Sequence, residues 1–398
     1  MKSLKIRLDL TNKQTTLCRQ HAGVARHAYN WGVAECQQAF DNKEKIPSAI
    51  DLHKRLVAEV KTANPFYYQV SKCAPQQALR NLQTAYTNFH RIQKPSGYKK
   101  RKTLHKMGAV VTVLEGLPQF KKKGQRDGFY LEGSIRTDGK AIKLPHLGWV
   151  RCAELLPDCP IKNVSITRTA DHWYISFRVA FEPVKTEKQS DIVAASTVGV
   201  DLGIKTLATL SDNTVFQSVK PYKRHKRKLK LAQRKVSKKY RKGVKRQSKN
   251  YAKAQAKVAR LHARIANIRA DALHKLTTHL AKNHSRIVIE DLNVRGMSKN
   301  HKLASALLDG GFFEFRRQLT YKADWYGSEL VVADRFFASS KTCSGCGCKK
   351  SVLKLSERTY HCESCGLQID RDLNAAINLK HYTVSYTGSA CGATNNRT

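Results

Sequence analysis

From Asn213 to Ala270 the chain runs for 58 residues with 21 Lys or Arg and not one Asp or Glu. A block like this cannot enter a core, and an ordinary solvated helix face mixes both signs of charge. It is either plain surface or a surface laid against a polyanion, and contact with a phosphate backbone accounts for the missing acids where solubility alone does not. The same bias runs through the whole protein: 73 Lys plus Arg stand against 30 Asp plus Glu, a formal charge of +43 over 398 residues. Nucleic acid is the expected partner. A hydrophobic content of 41% excludes wholesale disorder, and the length allows two or three domains with cores of their own. No apolar run reaches the ~18 residues of a membrane span, and MKSLKIRLDL lacks the apolar stretch of an export signal. No membrane and no small-molecule substrate are therefore expected, and a cytoplasmic location is.

Eleven cysteines are present, and their spacing is uneven. Cys18, Cys36, Cys73, Cys152 and Cys159 stand singly, whereas Cys343, Cys346, Cys348, Cys362 and Cys365 crowd together. That pattern favours a reducing compartment and metal binding over a disulfide framework. Cys343-x2-Cys346 and Cys362-x2-Cys365, separated by fifteen residues, have zinc-ribbon spacing. Each pair turns two thiolates toward one ion, and Gly345, Gly347 and Gly366 permit the tight backbone this needs. Four thiolates close the tetrahedral shell of one structural zinc and leave no open position for catalysis. A redox dithiol pair is the alternative, and Cys348 and His361 are spare ligands nearby.

Along the chain, His21–Phe40 and Pro75–Ile92 carry helical periodicity. A basic loop, Lys94–Lys102, follows. From about Val110 to Ala180 turn residues punctuate short strands, with a hairpin turning near Ala170-Asp171, a pattern that suits a small β-barrel with helices attached. A polar linker spans 185–196. Strands are expected at Val198–Leu202 and Thr206–Leu210, turning at Gly203, then at Arg286–Glu290 and Leu330–Ala333. Leu261, Ile265, Ile268, Ala272, Leu276 and Leu280 form a helical stripe. An Asn/Ala helix near Asn374–Lys380 and a polar tail from Ser385 end the chain.

Acids are scarce enough to be informative. Asp201 sits inside the apolar strand VGVDL, Glu290 ends the apolar strand IVIE, and Asp372 opens the expected helix DLNAA. A buried carboxylate is costly unless it is paired, hydrogen-bonded or metal-bound. Individually these residues are more simply read as a helix cap or a surface acid. Together they can hold two magnesium ions ~4 Å apart, which activate water, stabilise the leaving oxygen and neutralise the phosphodiester between them.

Four motifs, GVDLGIK (199–205), IVIEDL (287–292), CSGC…CESCG and DRDLNAA (370–376), occur in this order. With weaker matches at 25–30, 76–89, 142–151 and 309–327, the sequence resembles the TnpB family, transposon-encoded relatives of type V CRISPR effectors, over almost its whole length. The resemblance implies a transposon's RNA-guided DNA endonuclease with an RNase H-like RuvC domain split by inserted elements. By that resemblance Asp201, Glu290 and Asp372 are the catalytic triad, with Asp370 adjacent. The implied layout is a β-barrel wedge with an inserted helical recognition region over 1–184 and the linker over 185–196. A RuvC-like domain follows over 197–340, with its basic helical segment at 213–280. A zinc ribbon takes 341–368, the last RuvC segment 369–384 and a tail 385–398. Guide RNA from the transposon end and double-stranded DNA are the implied partners, in a prokaryotic, nucleoid-associated setting. Tyr98, Tyr222, Tyr240 and Tyr251 are candidates for stacking on unpaired bases. A regulator that binds without cleaving, or a transposase using the same three acids, are the competing possibilities.

Overall fold

The computed structural model describes residues 2–93, 101–106, 109–114, 116–180, 196–244, 247–354 and 356–389. Positions 94–100 of the expected basic loop with Tyr98, 185–195 of the linker and 390–398 of the tail lie outside the described residues. The chain divides into two compact units, Met1–Phe181 and Glu182–Thr398.

In the first unit, strand β1 (Lys2–Asp9) alternates so that Ile6 and Leu8 are buried. It is central, pairing antiparallel with β9 (His172–Val179) on one side and β7 (Gly148–Cys152) on the other. The period-2 pattern of SLKIRLD was available in the sequence but had no assignment there. A hairpin of β2 (Arg101–Lys106) and β3 (Ala109–Leu114) stands apart and takes in the last two residues of the expected basic loop. The larger sheet is completed by β4 (Gly128–Glu132), β5 (Arg136–Asp138), β6 (Ala141–Leu144) and β8 (Asn163–Thr169). Its order is β4-β8-β9-β1-β7-β6-β5, so the described strands pair as an antiparallel sheet with β4 and β5 at its ends, where the sequence suggested a barrel. The β8–β9 hairpin turns at Ala170, whose φ of 53° supplies the left-handed residue of a tight two-residue connection. Helix α1 (Asn12–Asp41) starts two turns before the expected His21, because Thr11 and Gln14 form a reciprocal cap. It packs on α2 (Cys73–Gln93), whose Leu79 and Leu82 approach Gly32 so closely that a Cβ there would meet them at 2.9 and 2.8 Å.

The second unit is built on a five-stranded sheet of order β12-β11-β10-β13-β14. Its strands are β10 (Thr197–Leu202), β11 (Thr206–Leu210), β12 (Val215–Gln217), β13 (Arg286–Glu290) and β14 (Glu329–Ala333). The first three pair antiparallel, whereas β10, β13 and β14 run parallel. Both faces are covered, which is why VGV and IVI read as unbroken apolar runs. On one face Val200 and Ile289 pack with Leu276 of α4 (Lys249–Asn283) and Phe315 of α6 (Phe312–Tyr326). On the other, Val288 meets Leu379 of α7 (Arg371–Ser389). This last helix extends beyond the expected Asn374–Lys380 and takes in 385–389. Helix α3 (Pro221–Lys239) buries only Pro221, Leu229 and Ala232, leaving its cations in solvent. Helix α5 (His301–Gly310) anchors it: the buried Asp309 carboxylate accepts from the N–H groups of Tyr222 and Lys223 at the start of α3. Among the described residues no helix is long and apolar enough to cross a membrane.

Candidate metal-binding and nuclease site

Pleat geometry decides where the acids point. Gly199 and Val288 are opposite each other in the β10–β13 register, and both face α7. Side chains two residues further on return to the same face, so Asp201 and Glu290 emerge together at the carboxyl ends of adjacent parallel strands. Gly199 lets α7 lie directly on the sheet: a Cβ there would sit 2.0 Å from the Ala376 carbonyl oxygen and 2.5 Å from the Lys380 nitrogen. One helical turn back from Ala376, a rise of about 6 Å, is Asp372. Its Oδ2 lies 3.9 Å from where a Cβ of Gly203 would be, beside the end of β10. The three carboxylates thus lie near one another on one face although 170 residues intervene between Asp201 and Asp372; among the described residues only the thiols of Cys343, Cys346, Cys362 and Cys365 are grouped closely enough to share one ion.

The electrostatics reflect this crowding. Burial, then the charges of Glu290 and Asp372, push the half-buried Asp201 carboxyl up to about 8, with the Arg371 guanidinium opposing them. Glu290 accepts a hydrogen bond from the hydroxyl of buried Ser339, and Arg358 stands 3.9 Å from Asp372. Asp370 has a different job. Its Oδ1 accepts from the backbone N–H of Asp372 and Leu373 at 2.9 and 3.1 Å, capping α7. Asp291, next to Glu290, is held low by Arg335 and Arg316, which both bind it.

The four thiols of Cys343, Cys346, Cys362 and Cys365 lie within 4.8 Å of one another. Cys343 to Cys365 and Cys346 to Cys362 are 3.6 and 3.5 Å apart, close to the ~3.8 Å edge of a tetrahedron with ~2.3 Å zinc–sulfur bonds. The two knuckles repeat one turn, with Gly347 N–H donating to the Cys343 carbonyl and Gly366 N–H to that of Cys362. Gly347 and Gly366 take φ of 77° and 73°, whereas Gly345 is absent from the left-handed set and instead leaves room for Leu367 and the thiols. Cys348 and His361 are not members of the cluster.

Sequence reasoning missed the residues that tie the two sites together. Asn374 and Asn378, one turn apart on α7 and both buried, grip the segment entering the first knuckle. Asn374 accepts from Ser344 N–H at 2.9 Å and donates to the Thr342 carbonyl at 2.8 Å. Asn378 donates to the carbonyls of Ser339 and Thr342, each at 2.7 Å. Buried Asn twice on one helix face, against its weak helix propensity, was the available signal. Of the candidate stacking tyrosines, Tyr240 is exposed and its ring lies 6.0 Å from that of Tyr251, while Tyr222 is half-buried at the start of α3.

Three family models match the chain: OrfB_IS605, "Probable transposase", over 177–301; "Cas12f1-like, TNB domain" over 312–379; and "Helix-turn-helix domain" over 1–45. In this chain the last of these regions folds as β1 followed by the single long helix α1. Among curated relatives, "Putative RNA-guided DNA endonuclease InsQ" of Escherichia coli (strain K12) is 32% identical, over 98% of this chain and 94% of that protein. "Putative RNA-guided DNA endonuclease" of Streptomyces pristinaespiralis is 36% identical, over 98% and 91%. A solved structure, "Structure of the mini-RNA-guided endonuclease CRISPR-Cas_phi3", aligns with a TM-score of 0.46 at 10% identity, over 96% of this chain and 92% of that one.

Proposed function

The chain belongs to the TnpB family, and on that premise we propose that it is a transposon's RNA-guided DNA endonuclease, cutting target DNA beside a short flanking motif. The convergence of Asp201, Glu290 and Asp372 on one sheet face carries this reading. Three antiparallel strands followed by two parallel ones, with acids at the ends of β10 and β13, fit an RNase H-like RuvC domain assembled from 197–340 and 369–384.

The acid cluster suits divalent cations because burial, and then the charges of Glu290 and Asp372, raise the Asp201 carboxyl to about 8, so that its ionised form is favoured only beside a counter-charge. Asp201, Glu290 and Asp372 would hold two magnesium ions, which when bound supply the activated water and neutralise the phosphodiester. The protein's own contribution is placement. Ser339 fixes one oxygen of Glu290, Gly199 lets α7 carry Asp372 down to the sheet, and Asp370 pins the first turn of that helix. One structural zinc at Cys343, Cys346, Cys362 and Cys365 would stiffen the ribbon of 341–368 that Asn374 and Asn378 clamp to α7.

In the same reading, residues 1–184 form the wedge and recognition modules that hold guide RNA from the transposon end and read the flanking motif. The exposed cations of α3 and α4 track nucleic-acid backbones, and base pairing supplies sequence specificity. The test is cleavage of a matching duplex, in magnesium, by protein carrying its co-purified RNA. Asp201→Ala should lower the rate at least ~1,000-fold while leaving target binding in place. Undiminished cutting by that variant, or a parent that binds target and never cuts in any divalent metal, would sink the proposal.

A further inference from the structure

A second feature adjoins the acid cluster: a cavity of about 300 Å3 that Glu290 itself lines. Much of the remaining wall is apolar, with Leu202, Leu292, Val294 and Phe312 among its residues, and Asn293 and Arg295 are polar members of it. Phe313, also in the lining, is 71% exposed although it stands one residue from the buried Phe312. An aromatic ring this exposed on the first turn of a helix contributes little to the core and presents a flat face to whatever enters. Arg316 and Arg335 complete the wall. Both bind Asp291, and with Arg295 of the same lining three guanidiniums stand against the carboxyl groups of Glu290 and Asp291, a surplus of one positive charge.

The chemistry of this cavity defines its occupant. An apolar pocket large enough for one nucleobase, edged by surplus positive charge and sharing a wall with the acid cluster, is unsuited to a phosphate in its interior. It is well suited to an unstacked base whose own phosphates remain at the arginine edge. Metal-assisted hydrolysis needs the scissile phosphate held in one place, and anchoring the adjacent base achieves that without reading its identity. We propose that this cavity takes one nucleobase of the strand being cut, next to the scissile phosphate, stacked on Phe313. This rests on the endonuclease reading and adds a substrate subsite to it.

The test combines Phe313→Ala with target strands carrying one abasic site at successive positions around the cut. In the parent, an abasic site at one position should slow cleavage about tenfold or more. Phe313→Ala should slow cleavage of the intact strand by a similar factor, with guided target binding and thermal stability unchanged, and should gain no further slowing from that abasic site. Phe313→Tyr should restore the parental rate. Cutting of the intact strand by Phe313→Ala at the parental rate, or full additivity of the two changes, overturns the proposal. A second measurement needs no chemistry: Asp201→Ala protein, in enough salt to suppress backbone contacts, should bind an intact single strand several-fold more tightly than its abasic counterpart. Phe313→Ala added to that protein should erase the difference. Equal binding of both strands, or a change of oligomeric state as the sole effect of Phe313→Ala, overturns the base subsite even where the endonuclease reading stands. A parent that never cuts, with this binding difference intact, sinks the endonuclease reading and leaves the base subsite.

Discussion

Lys322 is a buried ammonium whose three hydrogen bonds go to the His274 carbonyl and the hydroxyls of Thr277 and Thr278, at 2.9, 2.8 and 2.7 Å, rather than to a carboxylate. Burial pulls it down to about 8 from an ordinary 10.5. The unfolded chain therefore binds the extra proton between these values, so folding stability should rise with pH from about 8 to about 10.5, by about 3 kcal/mol at most. Chemical denaturation across that window should show this rise in the parent and its absence in Lys322→Met. A lysine within the apolar face of a helix is invisible to periodicity alone, because such residues normally extend to solvent. The acids were legible for the opposite reason: in a chain so short of carboxylates, one placed inside or at the end of an apolar strand stands out. What their sequence environment could not express is that Asp370 and Asp372, two residues apart, differ in kind. One turns back to cap its own helix; the charge of the other acts more strongly on Asp201.

That difference is settled by an element, α7, and its test belongs at this scale. Asp370→Asn keeps an acceptor for the two N–H groups and should cut within a few-fold of the parent. Asp370→Ala should cost about 1 kcal/mol of stability, and Asp372→Asn should abolish cleavage without that loss. Rates and thermal unfolding measured side by side separate the three. Four strands of the second unit, β10, β11, β13 and β14, lie within a residue of their expected bounds, since apolar runs bounded by turns state themselves locally, whereas the short β12 carries no such run. Strand β1 and the first turns of α1 were not, although alternation and a capping box marked them. For the ribbon, elemental analysis of undenatured protein should find one zinc per chain, and Cys362→Ser should lose it. Through Asn374 and Asn378 that loss should also weaken cleavage, because both residues hang the first knuckle on the helix that carries Asp372.

Across the whole molecule the excess of 43 positive charges predicts a steep salt dependence. Each phosphate contact adds about 0.9 to the slope of log affinity against log salt. Replacing the exposed Lys226, Lys230 and Lys235 of α3 with Gln should flatten that slope by about 2 to 3. A slope unchanged by these substitutions would remove α3 from the nucleic-acid surface. Charge, cysteine spacing and the apolar runs belong to the chain as written, because they depend only on which residues lie within a few positions of each other. Membership of a charged class, a four-thiol cluster and the strands flanking the acids follow from them. The nearness of Asp201, Glu290 and Asp372 does not, nor does the cavity beside Glu290. These depend on strand register, on which sheet face each side chain takes, and on a glycine at position 199 that admits a helix against the backbone. Long-range packing set these, because only the folded sheet brings acids 82 to 171 positions apart in the chain onto one face.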